Sequence, residues 1–275
     1  GSGTTLTASE VWVSGTQLTS AGLRGYGVDA AMGAIVSVTR SRVSDNHSAG
    51  LMADGSGTTL TASEVWVSGT QLSGAGLRGY GVLAQSGASV NVTRSRVSDN
   101  HNAGLLADGS GANLTASEVW VSGTQLDGEG LYGYGGLAYL GASLSMSRSH
   151  VSDNFQAAVG FYAGGGSVTE SLLEGTKFGG SLLGDGLMAT GSVVTVDRVI
   201  ARDNARVGVL FDKSEGELSK SLITQNAVGL ANQGLPGAAI SDDNVIEGND
   251  QDRLDDGDLE VPDEAMSLPD LPAFD

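Results

Sequence analysis

Cysteine is absent from the chain, which excludes a disulfide framework and any thiolate metal site. Proline occurs only 4 times and aromatic residues make up 5%. Basic residues are scarce: 14 Lys and Arg stand against 32 Asp and Glu, for a net charge of −18. Binding a phosphate backbone needs a basic face, so nucleic acid is excluded as a partner. No apolar run approaches the ~18 residues of a membrane helix. The first residues also lack a basic segment followed by an apolar one, so this segment is not expected to insert into a membrane. What is abundant is glycine, with 43 residues. Glycines scattered among short apolar stretches predict many short strands and tight corners, not packed helices.

Self-similarity sets the architecture. Val-Trp-Val-Ser-Gly-Thr-Gln-Leu at 11–18 returns unchanged at 65–72 and 119–126, a period of 54 residues. Between the copies, Arg-Val-Ser-Asp-Asn at 42–46 recurs at 96–100 and, with His150 in place of Arg, at 150–154. Each unit therefore holds two related turns. Aligned on the polar residue after Val-Ser-Gly or Val-Ser-Asp, one column runs down the chain: Thr16, Asn46, Thr70, Asn100, Thr124, Asn154, Thr176, Asn204, Asn226 and Asn249. Ten coils result, in double-coil repeats at about 1–54, 55–108 and 109–162, then degenerate single coils to residue 250. Because residues 1–6 match 55–60, the array is expected to begin inside a longer one.

A coil of 22 to 24 residues holding two or three short strands, with Asn recurring at one corner, resembles the right-handed parallel β-helix family. The resemblance implies an all-β, pectate-lyase-like solenoid of about ten coils, in which stacked asparagines bond up and down the turn. It implies little about activity, because that family includes lyases, hydrolases, adhesins and fibres.

The residues support the same fold independently. Val11, Val13, Val43, Val67, Val97, Val121, Val151, Leu173, Ile223 and Ile246 alternate with polar neighbours, as an inward aliphatic column requires. One coil cannot bury its own apolar face, so stability is shared between neighbours. Six residues before the turn column, Glu10, Arg40, Glu64, Arg94, Glu118, Arg148, Glu170 and Arg198 alternate in sign. We expect this cross-strand charge ladder to disfavour a one-coil slip, which would stack like on like.

Four residues before the turn stand Trp12, Arg42, Trp66, Arg96, Trp120 and His150, followed by Leu172, Ile200, Leu222 and Val245. Guanidinium groups between indoles predict cation–π contacts. Tryptophans on alternate coils, about 10 Å apart, also form candidate platforms for a polysaccharide. The longer coil of each unit carries an insertion at 17–27, 71–81 and 125–135. These loops should stack and present Tyr26, Tyr80 and Tyr134 in a row with Arg24 and Arg78, a second candidate binding surface. The acidic tail 251–275, which holds three of the prolines, is expected to be extended. Its Leu259, Val261, Leu268, Leu271 and Phe274 could cover the column Leu172, Ile200, Leu222 and Val245.

No catalytic cluster is visible. Asp45, Asp99, Asp153 and Asp203 share one outward column, but glycines stand on intervening coils and leave the acids about 10 Å apart. That is too wide for one calcium or a carboxylate pair. His47, His101 and His150 show no metal or nucleophile–base spacing. No cofactor or metal is expected. The expected function is that of a non-catalytic extracellular or cell-surface β-helix, a rigid spacer or adhesin-like scaffold for glycan or protein. The alternatives are a polysaccharide lyase or glycoside hydrolase, and a fibre subunit that pairs end to end through open strand edges.

Overall fold

The computed structural model describes residues 3–20, 22, 24–180, 183–255, 259 and 261. Among them there is no helix. Thirty short strands form three parallel sheets of ten strands each, and every sheet takes each third strand of the chain. The backbone therefore visits the first, second and third sheets in turn and rises one coil per circuit, ten coils in all. In-register pairing keeps equivalent side chains in straight columns: Val13 faces Val43, Val43 faces Val67, and so on to Ile223 and Ile246.

Alternation decides which columns are inside. Val43, Val67, Val97, Val121, Val151, Leu173 and Ile223 are fully buried, and Val13 and Ile246 at the two ends are partly so. Ala201 fills the same column where the aliphatic pattern is interrupted. Burying each such Val or Leu contributes about 1.5–3 kcal/mol.

The corners depend on left-handed backbone. Glu10, Arg40, Glu64, Arg94, Glu118, Arg148, Glu170 and Arg198 all have φ between 44° and 57°. The charge ladder thus lies at the corner between the first and second sheets, not within a strand as the alternation predicts. Its pairs form between successive coils: Arg40–Glu10 at 3.0 Å, Arg94–Glu64 at 3.3 Å, Arg148–Glu118 at 3.4 Å and, beyond the double-coil repeats, Arg198–Glu170 at 3.0 Å. All are exposed, so each contributes at most about 1 kcal/mol. Next to them runs a serine column that sequence reading missed. The Ser41 hydroxyl accepts the Val11 N–H at 3.1 Å and donates to the Thr39 carbonyl at 2.6 Å, and Ser95, Ser149, Ser171 and Ser221 repeat the arrangement. The hydroxyl pairs a corner N–H that the sheets leave without a partner.

The polar turn column stands where the alignment puts it, but it changes character along the chain. Asn46, Asn100 and Asn154 each accept the backbone N–H of the threonine one coil before, at 3.0 Å. Only the last three asparagines form a continuous side-chain ladder, with Asn204 Nδ2 donating to Asn226 Oδ1 and Asn226 Nδ2 to Asn249 Oδ1, both at 3.0 Å. Where threonine alternates with asparagine the ladder is broken, and Asn100 Nδ2, Asn154 Nδ2 and Thr176 Oγ1 are buried without a hydrogen-bond partner among the described residues.

The third sheet is buried on both faces. Its inner face joins the solenoid core, while its outer face forms a second apolar layer that includes Met52, Leu83, Leu106, Met188 and Leu210. Strand Gln251–Asp255 is the last member of this sheet, so the coils run past residue 250 and the tail begins later than its composition predicts. Leu259 and Val261 pack on this outer layer, and Leu259 exchanges hydrogen bonds with Gln233 at 3.0 and 3.1 Å. They do not cover the Leu172, Ile200, Leu222 and Val245 column, of which Ile200 and Val245 stay 40% and 46% exposed. Leu268, Leu271 and Phe274 lie outside the described residues.

Candidate functional site

The Trp/Arg column occupies the outer face of the second sheet, built from three-residue strands such as Trp12–Ser14, Arg42–Ser44 and Trp66–Ser68. Each indole is anchored, because Trp12, Trp66 and Trp120 donate Nε1–H to the hydroxyls of Ser44, Ser98 and Ser152 at 3.3–3.4 Å. Arg42 lies 5.6 Å from the Trp12 ring centroid and 4.3 Å from that of Trp66. Arg96 lies 5.7 Å from Trp66 and 4.7 Å from Trp120. His150 closes the stack on Trp120, ring centroids 5.5 Å apart and planes 11° from parallel.

This geometry corrects the expected aromatic platform. The faces of Trp66 and Trp120 are covered by their neighbours in the column, so what they expose to solvent, 40% and 44% of each residue, is ring edge. The guanidinium N–H groups are the available binding atoms. Arg40, Arg94, Arg148 and Arg198 are each paired with a glutamate, whereas Arg42 and Arg96 make no ion pair with any described residue. A shallow open groove follows the long axis between the two columns. Glu10, Arg40, Glu64 and Arg94 form one wall, Trp12, Arg42, Trp66 and Arg96 the other, over a floor of Val11, Ser41, Val65 and Ser95. A second groove continues the line past His150 to Leu172 and Ile200.

At the junction, His150 Nε2 meets Glu174 Oε1 at 2.7 Å while Arg202 holds Glu174 Oε2 at the same distance. Burial pushes the Glu174 carboxyl up, but the hydrogen bonds from Arg202 and His150 outweigh it and hold it below the usual glutamate range.

The tyrosine row lies elsewhere and is not a surface. The inserted loops do stack, with Gly74 N–H bonding Gly22 O at 3.0 Å, Gly128 N–H bonding Gly76 O at 2.8 Å and Gly180 N–H bonding Gly130 O at 3.1 Å. Tyr80 and Tyr134, however, are only 2% and 4% exposed, packed in the outer layer of the third sheet against Ala49 and Ala103 of adjacent strands. Tyr26 is partly buried against the same layer and Arg78 is buried, which leaves Arg24 alone exposed. Alternating Tyr and Ala is a packing solution for that layer, and it withdraws these tyrosines as ligand contacts.

Beyond the exact repeats, the same outer layer holds a group that sequence reading missed. Asp185, fully buried, receives Arg206 Nε at 2.8 Å, and Tyr134 and Tyr162 stand close by, their ring centroids 6.4 Å apart. Burial raises the Asp185 carboxyl above the usual range despite Arg206, and pushes the Tyr162 phenol up to about 12. The signal was Asp185, an acid in line with Ala157 of the coil before, and Arg206 21 residues further on, one position short of the next coil's equivalent residue. Among the described residues no group of three or more His, Asp or Glu is arranged to hold a metal. The Asp45 column stands at a left-handed corner, alternating with Gly15, Gly69 and Gly123.

The sequence profile described as "Right handed beta helix region" matches residues 1–124. The fold is a right-handed parallel β-helix. No curated protein sequence matches it. Among solved structures, the β-helix is similar to the periplasmic alginate epimerase AlgG, with TM-score 0.55 and 11% identity over 80% of this chain and 51% of the epimerase. It is also similar to pectate lyase Pel9A, with TM-score 0.49 and 12% identity over 98% of this chain and 84% of the lyase. At 11% identity the likeness to the epimerase is one of fold. The β-helix spans about half the length of the epimerase, 51%. What its own residues offer is a rigid row of guanidinium edges set between anchored indoles.

Proposed function

We propose that this β-helix is a non-catalytic, extracellular or cell-surface scaffold that binds an acidic polysaccharide along the groove beside its Trp/Arg column. The observation that carries the reading is the pair Arg42 and Arg96, held flat against indoles and without a carboxylate partner among the described residues. A guanidinium stacked on a ring keeps its N–H edge free for bidentate contact with a carboxylate or sulfate. Two coils separate the arginines, about 10 Å, a distance that neighbouring charged sugars of an extended chain can bridge. The other groove charges are already paired, so the surplus is positive within an acidic protein. The fold similarity to an epimerase named for alginate is consistent with a polysaccharide ligand. In this reading residues 1–162 form the repeating binding body, the later coils extend it, and the acidic tail keeps the far end soluble.

Titration calorimetry of the intact chain with polygalacturonate, beside neutral dextran, tests the proposal. Salt-sensitive binding of the acidic polymer, lost in Arg42→Gln/Arg96→Gln, is expected. Binding that survives this double substitution, or no binding at all, would reject it. Appearance of new reducing ends or unsaturated sugars in the same mixture would make the protein an enzyme instead.

A further inference from the structure

The first sheet presents a surface unlike the other two. Its outward residues form three columns in unbroken register, and through seven coils, from strand Thr5–Ser9 to strand Gly165–Thr169, none of them is charged. The middle column begins Thr7, Ser37, Thr61, Asn91, Thr115 and Ser145. These side chains are exposed or half-buried, and they make no hydrogen bond to another described residue. The column nearest the charge ladder is different, because Arg40, Arg94 and Arg148 donate to Ser9, Ser63 and Ser117 at 2.9–3.2 Å. Charge enters the face only with Asp197, Glu215 and Glu217. The second sheet, by contrast, carries guanidinium groups, and the third is covered.

We infer that this outer face of the first sheet is an ice-binding surface. Its side chains recur about 4.8 Å along the axis and about 6.7 Å along each strand. These repeats are close to those of oxygen atoms on a prism face of hexagonal ice. A hydroxyl both donates and accepts, as every water of an ice surface does, and short side chains lose little rotamer freedom when they order water. The β-helix supplies the remaining requirement, a rigid periodic support on which unpartnered hydroxyls keep their spacing over many coils. A second copy of this chain and a crystalline neutral polysaccharide also carry a two-dimensional period, and an effect on ice separates both from the proposed ligand.

The test is ice-recrystallisation inhibition and thermal hysteresis measured on the full chain. Three proteins are compared: the unsubstituted chain, Thr61→Lys/Thr115→Lys, which plants two long charges in the middle column, and Arg42→Gln/Arg96→Gln as a control on another face. Circular dichroism and thermal melting confirm that all three are folded. Grain growth should be suppressed by the unsubstituted chain and by the arginine variant, with suppression lost in the threonine variant. No suppression by the folded unsubstituted chain overturns the proposal. So does equal suppression by the threonine variant, or retention on microcrystalline cellulose without any effect on ice.

Discussion

The guanidinium of Arg42 sits 4.3 Å from the ring centroid of Trp66, one coil away in the second sheet. Because Arg96 covers the other face of the same indole, the ring acts as a spacer that fixes two cations, not as a sugar platform. Trp66→Ala should therefore weaken polygalacturonate binding less than Arg42→Gln/Arg96→Gln does, by releasing side chains that must then be ordered on binding. Calorimetry on both variants checks the order, and a greater loss for Trp66→Ala would restore the platform.

The asparagine column gives a graded stability prediction. Asn226 accepts from both the backbone and the side chain of Asn204 at 3.0 Å and donates to Asn249. Asn226→Ala leaves buried partners unsatisfied and should cost about 1–3 kcal/mol per unpaired group. Thr124→Ala, where the backbone N–H rather than the hydroxyl meets Asn154, should cost less. Urea melts of the two variants give the comparison.

Glycine at the corner facing the Asp45 column answers two demands. Gly69 has φ 65°, and a Cβ there would lie 2.8 Å from Asp45 Oδ1. Gly69→Ala should destabilise by about 1–3 kcal/mol through backbone strain and crowding. In the background of Asp45→Ala the same substitution should be milder, since only the strain remains. Thermal melting of the single and double variants measures the difference.

Asp185 and Arg206 form a pair that cannot be halved. Asp185→Asn leaves a largely buried guanidinium without its counter-charge, and breaking such a pair costs about 3–5 kcal/mol. Replacing both, as Asp185→Leu/Arg206→Met, should recover most of that loss. A double-mutant cycle in urea decides whether the pair acts as a unit.

Glu174 sets a pH dependence. Its carboxyl is held below the ordinary glutamate range, so in the folded state it stays ionised where the unfolded chain begins to bind a proton. The stabilisation is present above the ordinary range, about pH 4.3, and is lost as pH falls through the lowered folded value. Glu174→Gln should flatten the acid limb of a plot of melting temperature against pH. An unchanged limb would show that its bonds to Arg202 and His150 contribute nothing.

Much of the fold was legible because repetition exposes it. A residue such as Val67 is one of ten in its column, and the polar turn from Thr16 to Asn249 could be aligned without any structure. The candidate site was legible in position only. Trp12, Arg42, Trp66 and Arg96 share a column as read, but parallel pairing at about 4.8 Å turns their planes toward one another and covers both faces of Trp66. The tyrosine loops failed for a related reason: an insertion looks exposed in sequence, yet Tyr80 enters strand Gly79–Gln85 and is buried over Ala49.

The sequence by itself determined the coil length, the inward columns and the sign-alternating ladder, because each is a period and a period survives in one dimension. Tertiary structure decided what faces outward beside what. Among the described residues, pairing of one coil with the next left Arg42 and Arg96 without carboxylates, brought Asp185 to Arg206 and aligned the unpartnered hydroxyls of the first sheet. These are relations between columns, set by the angle of each corner and the register of each sheet. No spacing along a single chain encodes them directly.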